Sequence, residues 1–294
     1  MKTPRISVLL AVLNGAPFLL QQLNSISEQS LLPDELIVCD DASTDDSWDI
    51  LQRYAATAPF EVKLLKNENT IGYTHNFVRC LEMAQGEIIF FCDQDDVWLP
   101  KKIEAVVQKM ESQSHTLLVI HDGKLVDENL MWHGAYKLEQ VKTLYATDRF
   151  VSGSLTAIRQ SLARLALPIP EPIRHDAWIH ALALALDVRE IEPRSLQLIR
   201  RHARNASRGQ SSTLTPFTRW RGVLSRGKTR DHSFWQEEAC LDREVFLRLQ
   251  SRAQEVAPHV PENLCARLQV LMQRAHRIER WLNWPGSRFF FKFL

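Results

Sequence analysis

Residues 88–98, Ile-Ile-Phe-Phe-Cys-Asp-Gln-Asp-Asp-Val-Trp, constrain this chain more than any other stretch. An apolar run that does not alternate with polar residues suits a strand covered on both faces, as in a parallel sheet clad with helices. The run leads straight into Asp93, Asp95 and Asp96, with Trp98 just beyond. Carboxylates crowded at one strand end repel one another unless something neutralises them. A hard divalent cation, Mg2+ or Mn2+, does so and commonly grips substrate phosphates at the same time. A solvated acidic turn is the competing reading of this segment taken alone.

The residues before this strand repeat a strand-helix unit. Apolar runs at 6–13, 35–39 and 62–65 read as strands, and helical spacing appears at 16–29, 47–58 and 74–84. Ser43, Thr44 and Asp45 supply capping groups ahead of the second helix. Such repeats imply right-handed crossovers and a parallel sheet flanked by helices. Ligands of these sheets bind beyond the carboxyl ends of the strands. The polar clusters fall there: Asn14-Gly15, Asp40-Asp41, Asn67-Glu68-Asn69 and 93–96. Further on the pattern predicts a helix at 101–114, a strand at 116–120, an irregular middle section, a strand at 153–158 and a helix at 159–167. A rigid proline turn at 168–172, a helix at 176–186 and a strand at 189–199 follow. A Ser/Thr/Gly-rich loop with several arginines begins after 208, and residues from 233 onward are helical.

Composition bounds the partners. Net charge is +1, so no global field selects nucleic acid. The 5 cysteines are scattered without a Cys-x-x-Cys pair, against a disulfide framework or zinc site and for a reducing, cytoplasmic setting. The apolar run at 6–13 is too short to span a bilayer, which takes about 20 apolar residues. Residues 281–294 mix tryptophan and phenylalanine with arginine and lysine and carry no acid. That composition fits peripheral docking on the inner face of an anionic membrane, and equally a tail packed on its own domain or on a second subunit.

Four constellations carry candidate chemistry. Asp41, closing the second strand, is placed to accept a hydrogen bond from a pyrimidine imide, whereas Ser43, Asp45 and Asp46 read as helix caps. Gly72 and the helix start at Thr74 to Asn76 suit an anion. In Arg174-His175-Asp176-Ala-Trp178, an acid beside an aromatic suits a general base or, alternatively, a helix cap. Arg200-Arg201-His202 reads as a diphosphate grip with a possible metal ligand, or as a solvated basic loop.

In their order along residues 5–208, these segments resemble the family-2 glycosyltransferases of the GT-A type, and particularly the bacterial rhamnosyltransferase-like branch. The matching segments are Val12-Leu13-Asn14, Ser25 to Gln29, Asp40 to Asp45, Asn69 to Phe77 and the Asp-Gln-Asp-Asp-x-Trp of Asp93 to Trp98. Gly153-Ser-x-Thr, His175-Asp176-x-Trp178 and His202-x-x-Asn205 complete the set. The resemblance implies an α/β, Rossmann-like, mostly parallel sheet flanked by helices with a helical C-terminal extension. Its glycosyltransferase domain would cover 1–208, with a nucleotide-binding half at about 1–100 and an acceptor half at about 101–208. A loop and helical extension would occupy 209–294.

The resemblance also implies inverting transfer of one sugar, dTDP-L-rhamnose or a UDP-sugar being the donor and a glycan or lipid-linked glycan, such as growing lipopolysaccharide, the acceptor. Asp176 would be the base. Asp93, Asp95 and Asp96, with His202, would hold Mg2+ or Mn2+. Leu13, Asn14, Asp41, Gly72, Asn76, Asp93, Gln94, Trp98, Arg201 and His202 would line the donor site, and Gly153, His175 and Trp178 the acceptor site. Trp98 and Trp178 would act as walls. Leu13 replaces the usual base-stacking aromatic, and His75 replaces a usual cation, making any phosphate contact there pH-dependent. A nucleotidyltransferase on a similar sheet is the alternative reading, though it normally carries a Gly-rich, Lys/Arg-bearing loop that 11–18 lacks. A non-catalytic sugar-binding protein is another.

Overall fold

The computed structural model describes residues 3–144, 151–202, 232–256 and 259–283. Its centre is a 9-stranded sheet. β1 (Ile6–Val12), β2 (Glu35–Asp40), β3 (Glu61–Lys66) and β4 (Ile88–Asp93) pair in parallel in the order β3-β2-β1-β4. The crossovers are α1 (Ala16–Ser27), α2 (Ser47–Ala55) and α3 (Tyr73–Met83). The unalternating apolar runs are explained by burial on both faces. Val8, Leu10 and Val12 pack under α1 and α2 with Leu19, Leu23 and Leu51, while Leu9 joins Phe77, Cys80 and Leu81 of α3 on the opposite side.

Beyond β4 the sheet becomes mixed. β8 (Thr156–Arg159) enters antiparallel between β4 and β6 (Leu118–Val126), and β9 (Arg189–Arg200) returns parallel to β6. Two short strands run antiparallel to these: β5 (Val97–Trp98) on β9 and β7 (Trp132–Tyr136) on β6. By strand direction β1, β2, β3, β4, β6 and β9 agree, so the sheet is mostly parallel as expected. The middle section is more regular than its sequence suggests, since β6 runs on to Val126 and β7 leads into α5 (Lys137–Leu144). The segment expected to be a strand from 153 begins instead with a helical turn at Gly153–Leu155.

α4 (Lys102–Ser112), α6 (Gln160–Ala166) and α7 (His175–Leu186) complete the core. The C-terminal extension is a helix pair, α8 (His232–Arg252) and α9 (Leu264–Leu282). Its arginines close the open ends of α6 and α7. Arg248 donates to the carbonyls of Leu165 at 2.6 Å, Leu167 at 3.1 Å and Pro168 at 2.6 Å, with its guanidinium over the Trp178 ring. Arg252 donates to Leu167 and Arg164, and Arg267 to Leu184 and the Asp187 carboxylate. Guanidinium groups at helix C-termini satisfy carbonyls that have no intrahelical partner and meet the negative end of the helix dipole.

Trp281 lies on α9 and packs edge-on against Trp235 of α8, 6.2 Å between ring centres. That aromatic of the basic tail therefore packs on its own extension, and residues 284–294 lie outside the described residues. Among the described residues no helix is long and apolar enough to cross a membrane. All of Cys39, Cys80, Cys92, Cys240 and Cys265 are free thiols, in line with the absence of a disulfide framework.

Candidate active site

Register places the functional rim. Val12 of β1 stands beside Asp40 of β2, and Ala11 stands beside Asp93 of β4. Asn14, Asp41 and Asp93 thus emerge along one edge, the carboxyl edge of the parallel strands.

At the end of β4 the acids diverge in their surroundings. Asp93 keeps solvent-accessible surface although neighbouring protein crowds its carboxyl. That crowding, the Asp95 charge and a contribution from Asp176 push its carboxyl up to about 7. The Asp95 carboxylate meets His202 Nε2 at 2.8 Å, a contact across 107 residues of chain. Asp96 turns the other way. It is buried, accepting from the Gln197 side-chain amide and, at 3.0 Å, from the Arg200 main-chain N–H. Burial, with Asp95 and Asp93 nearby, raises its carboxyl well above the usual range. Asp96 is consequently not an available metal ligand, a correction to the expected set: its oxygens are engaged by β9.

Behind Asp96 lies a lysine that nothing in the motif reading singled out. Lys102 is fully buried, donating to Gln197 Oε1 at 2.6 Å and to the Ser154 carbonyl at 2.9 Å, with Nζ 3.7 Å from the centre of the Trp98 ring. Burial pulls its ammonium down to about 7, against the pull of Cys92, Asp96 and Asp93. Trp98 is 2% exposed and belongs to the core with Phe90, so it is not a wall of the sugar site. Its large apolar ring is the lid over the buried ammonium.

At the end of β2 the acids serve their own loops. Asp41, 1% exposed, accepts from Asn67 Nδ2 at 2.7 Å and from the Ile71 and Gly72 N–H groups, both at 2.8 Å. The carboxylate expected to read a nucleobase is therefore occupied as a clasp on the 67–72 loop. Gly72 has φ 87, a conformation that favours glycine, and this aims its N–H at Asp41 rather than at a ligand. Asn76, expected on the donor, is buried between Asn67 Nδ2 and the Cys39 carbonyl. His75 bonds the Ile71 carbonyl and Glu171, not a phosphate position.

The loop after β1 is stitched on two sides. Gln94 accepts from the Leu13 N–H and donates to the Leu13 carbonyl, at 2.8 and 3.0 Å. The Asn14 side chain accepts from Thr44, and Asp45 accepts from Ser47 and from the Ala16 N–H. Asp45 thus holds the start of α2 as expected, whereas Asp46 makes no side-chain capping bond. Leu13 is left 41% exposed on the rim.

On the side expected to meet an acceptor, Gly153, His175 and Asp176 come together. A Cβ on Gly153 would lie 3.2 Å from His175 Nε2 and 3.8 Å from Asp176 Cβ. Asp176 sits in the first turn of α7, accepting from the Ala177 N–H at 2.8 Å with Arg174 at 3.6 Å. His175 is sealed behind it among Phe77, Phe91 and Tyr73, and burial lowers its imidazole to about 4. A neutral ring in an aromatic cage does not meet an acceptor, which corrects that expectation. Trp178 is 0% exposed with its indole N–H on the Ala166 carbonyl, so it too is core rather than wall. Arg201 places its N–H on the Val126 carbonyl, and Asn205 lies outside the described residues.

A divalent cation fits part of the expected set. Asp93 and Asp95 are carboxylates at one strand end, the Asp95 charge raising the Asp93 carboxyl, and His202 adds an imidazole nitrogen beside Asp95. Among the described residues no group of three ligating side chains already forms a cation cluster. Two carboxylates suit Mg2+ or Mn2+ when substrate phosphate oxygens complete the shell.

Comparison with known proteins bears on the whole arrangement. Residues 7–165, just over half the chain, match the sequence profile described as Glycosyl transferase family 2. The Bacillus subtilis protein EpsE is 34% identical over 138 residues, covering 47% of this chain and 49% of its own. An uncharacterized glycosyltransferase of Nostoc sp. is 32% identical, covering 42% and 38%. The chain spans about half or less of the length of these two curated relatives. The Escherichia coli UDP-Glc:alpha-D-GlcNAc-diphosphoundecaprenol beta-1,3-glucosyltransferase WfaP is 31% identical over 187 residues, covering 63% of this chain and 72% of that protein. Among solved structures, Staphylococcus aureus TarS 1–349 in complex with UDP superposes with a TM-score of 0.55 at 17% identity, covering 97% and 91%. The mannosyltransferase PcManGT from Pyrobaculum calidifontis, in complex with GDP-Man and Mn2+, gives 0.53 at 17%, covering 97% and 89%. At such identities these two show a shared fold.

Proposed function

The chain belongs to glycosyl transferase family 2, and on that premise we propose that it transfers one sugar from a nucleotide-diphosphate donor to a hydroxyl of a cell-surface glycan, with inversion. The donor diphosphate lies over Asp93, Asp95 and His202, and Asp176, near enough to Asp93 to raise its carboxyl, faces the acceptor. The acceptor oxygen attacks the anomeric carbon as the bond from that carbon to the diphosphate breaks, and Asp176 takes the hydroxyl proton. Mg2+ or Mn2+, when bound at Asp93 and Asp95, supplies charge neutralisation to the departing diphosphate. The carrying observation is the Asp95–His202 contact at 2.8 Å, beside an Asp93 that senses Asp176.

The donor is a thymidine- or uridine-linked sugar. The branch resemblance favours dTDP-L-rhamnose; the UDP and UDP-GlcNAc held by TarS and the UDP-Glc in the name of WfaP favour a uridine donor. With Asp41 engaged by its own loop, base recognition falls to the rim at Leu13 and Asn14. The WfaP name also supports a lipid-linked glycan as acceptor.

The test is a screen of nucleotide sugars for Mn2+-dependent thermal stabilisation and for transfer or hydrolysis, run beside Asp176→Asn. The variant is expected to keep donor binding and to lose about 10²- to 10⁴-fold in transfer. Wild-type turnover by Asp176→Asn removes the base assignment, and the absence of any stabilising nucleotide removes the reading.

A further inference from the structure

We propose that Arg200 is a positioning residue for the donor site: its buried guanidinium sets the Asp95 carboxylate against His202 and ties it to α1. The inference rests on the functional reading above and deepens it. The sequence places Arg200 in a basic segment suited to a diphosphate, yet the side chain points inward and is 2% exposed, too deep to meet a phosphate arriving from solvent.

Among the described residues its side-chain bonds span three separate segments. Nε donates to the Asp95 carbonyl at 2.7 Å, Nη2 donates to Gln21 Oε1 of α1 at 2.5 Å, and Nη1 donates to the Glu128 carbonyl in the β6–β7 turn. The Arg200 main-chain N–H takes Asp96 Oδ1 as well. A guanidinium is a rigid planar fork, so these partners are held at fixed separations in a way an ammonium on a flexible stem does not reproduce.

With the Asp95 carbonyl and the Asp96 carboxylate both pinned, the freedom left to Asp95 is rotation of its own side chain. His202 takes up that freedom at 2.8 Å. The same apolar ring steadies both basic groups, since Phe18 lies 4.6 Å from the Arg200 guanidinium and 4.7 Å from the His202 ring. Phe18 and Gln21 belong to α1, which begins at the Leu13–Asn14 rim. Arg200 therefore links the acid loop, the helix behind the nucleotide rim and the end of a strand from the acceptor half. Loss of a partner that orients a ligating side chain from outside typically costs about 10- to 100-fold in affinity for the cation.

A thermodynamic cycle on the full chain tests this. Binding of UDP or dTDP, whichever the wild type takes, is followed by calorimetry across a Mn2+ titration, with folding checked by circular dichroism. Arg200→Gln is expected to raise the Mn2+ concentration for half-maximal nucleotide binding by about 10- to 100-fold. Arg200→Lys does not restore it, and Gln21→Ala shifts it the same way by less. In an Asp95→Asn background, Arg200→Gln adds no further shift, because the residue it acts through is gone. An equal shift with and without Asp95, or no shift in any variant, overturns the inference while leaving the functional reading intact. If Arg200→Gln does not fold, the Gln21→Ala and Asp95→Asn cycle decides on the same criterion. Wild-type protein that binds neither nucleotide with Mn2+ overturns the functional reading, and this inference with it.

Discussion

β2 and β4 end alike in sequence and differently in chemistry. Each is a buried parallel strand closing on a pair of carboxylates, Asp40 and Asp41 in one and Asp93 and Asp95 in the other, one on each side of β1. At β2 the protein supplies the donors: Asp41 holds three of them and Asp40 accepts the Ser43 N–H. At β4 the crowding of Asp93 and the charges of Asp95 and Asp176 outweigh a Ser154 hydrogen bond and the Lys102 charge, and its carboxyl is driven up. Paired acids at a strand end are thus a latch where the backbone returns to them, and a candidate binding site where it does not.

Exchanging the roles of the two ends breaks the contrast most severely at Asp41. Asp41→Ala leaves the Asn67 amide with Asn76 as its remaining acceptor and leaves the part-buried Ile71 and Gly72 N–H groups without theirs, and an unmet buried donor costs about 1–3 kcal/mol. The expected loss of about 2 kcal/mol is read by urea denaturation; a variant with wild-type stability would show that the latch is dispensable. Asp95→Ala should do the reverse. Melting in chelator stays near wild type, while Mn2+-dependent nucleotide binding weakens roughly 100-fold, the upper end of what lost metal-site groups cost. Retained Mn2+ dependence would move the cation site elsewhere.

Asp93 sharpens the comparison through pH. Its folded-state value of about 7 stands above the ordinary 3.8, so the folded chain keeps a proton that the unfolded chain has already released. In chelator this contribution erodes stability as pH rises from about 4 to about 7. Asp93→Asn flattens the decline and is more stable than wild type at pH 8, and an unchanged pH profile would show that Asp93 is not crowded. The smallest effect is at Ala42, held at φ 61 between the latch and Ser43. A left-handed conformation costs a residue with a Cβ about 1–2 kcal/mol. Ala42→Gly should recover about 1 kcal/mol in thermal melts.

The parallel half of the sheet was legible because both faces of its strands are buried, leaving apolar runs with no alternation. The stretch from β6 to α5 was not, since His121 and Asp122 are polar yet buried inside β6, where Asp122 accepts the N–H at the start of α5. Asp93, Asp95 and His202 were readable as motif residues, and the fold brings Asp95 and His202 together. Trp98 and Trp178 were misread because an aromatic beside an acid looks the same in sequence whether its ring faces a ligand or the core. Lys102 left a faint trace, standing one turn ahead of Val106 on the buried side of α4. Gln197 left none, and Arg200 was legible only as part of a basic run and not as a buried tie, because their partners lie about a hundred residues away and pair by tertiary geometry alone.

The closure of α6 and α7 by Arg248, Arg252 and Arg267 also has a meaning for synthesis. A ribosome that has completed residues 1–208 has made Asp93, Asp95, Asp176 and His202, and none of the guanidiniums that seal the far ends of the helix carrying Asp176 and of its neighbour. A nascent chain holds these candidate site groups well before it holds the arginines that close α6 and α7.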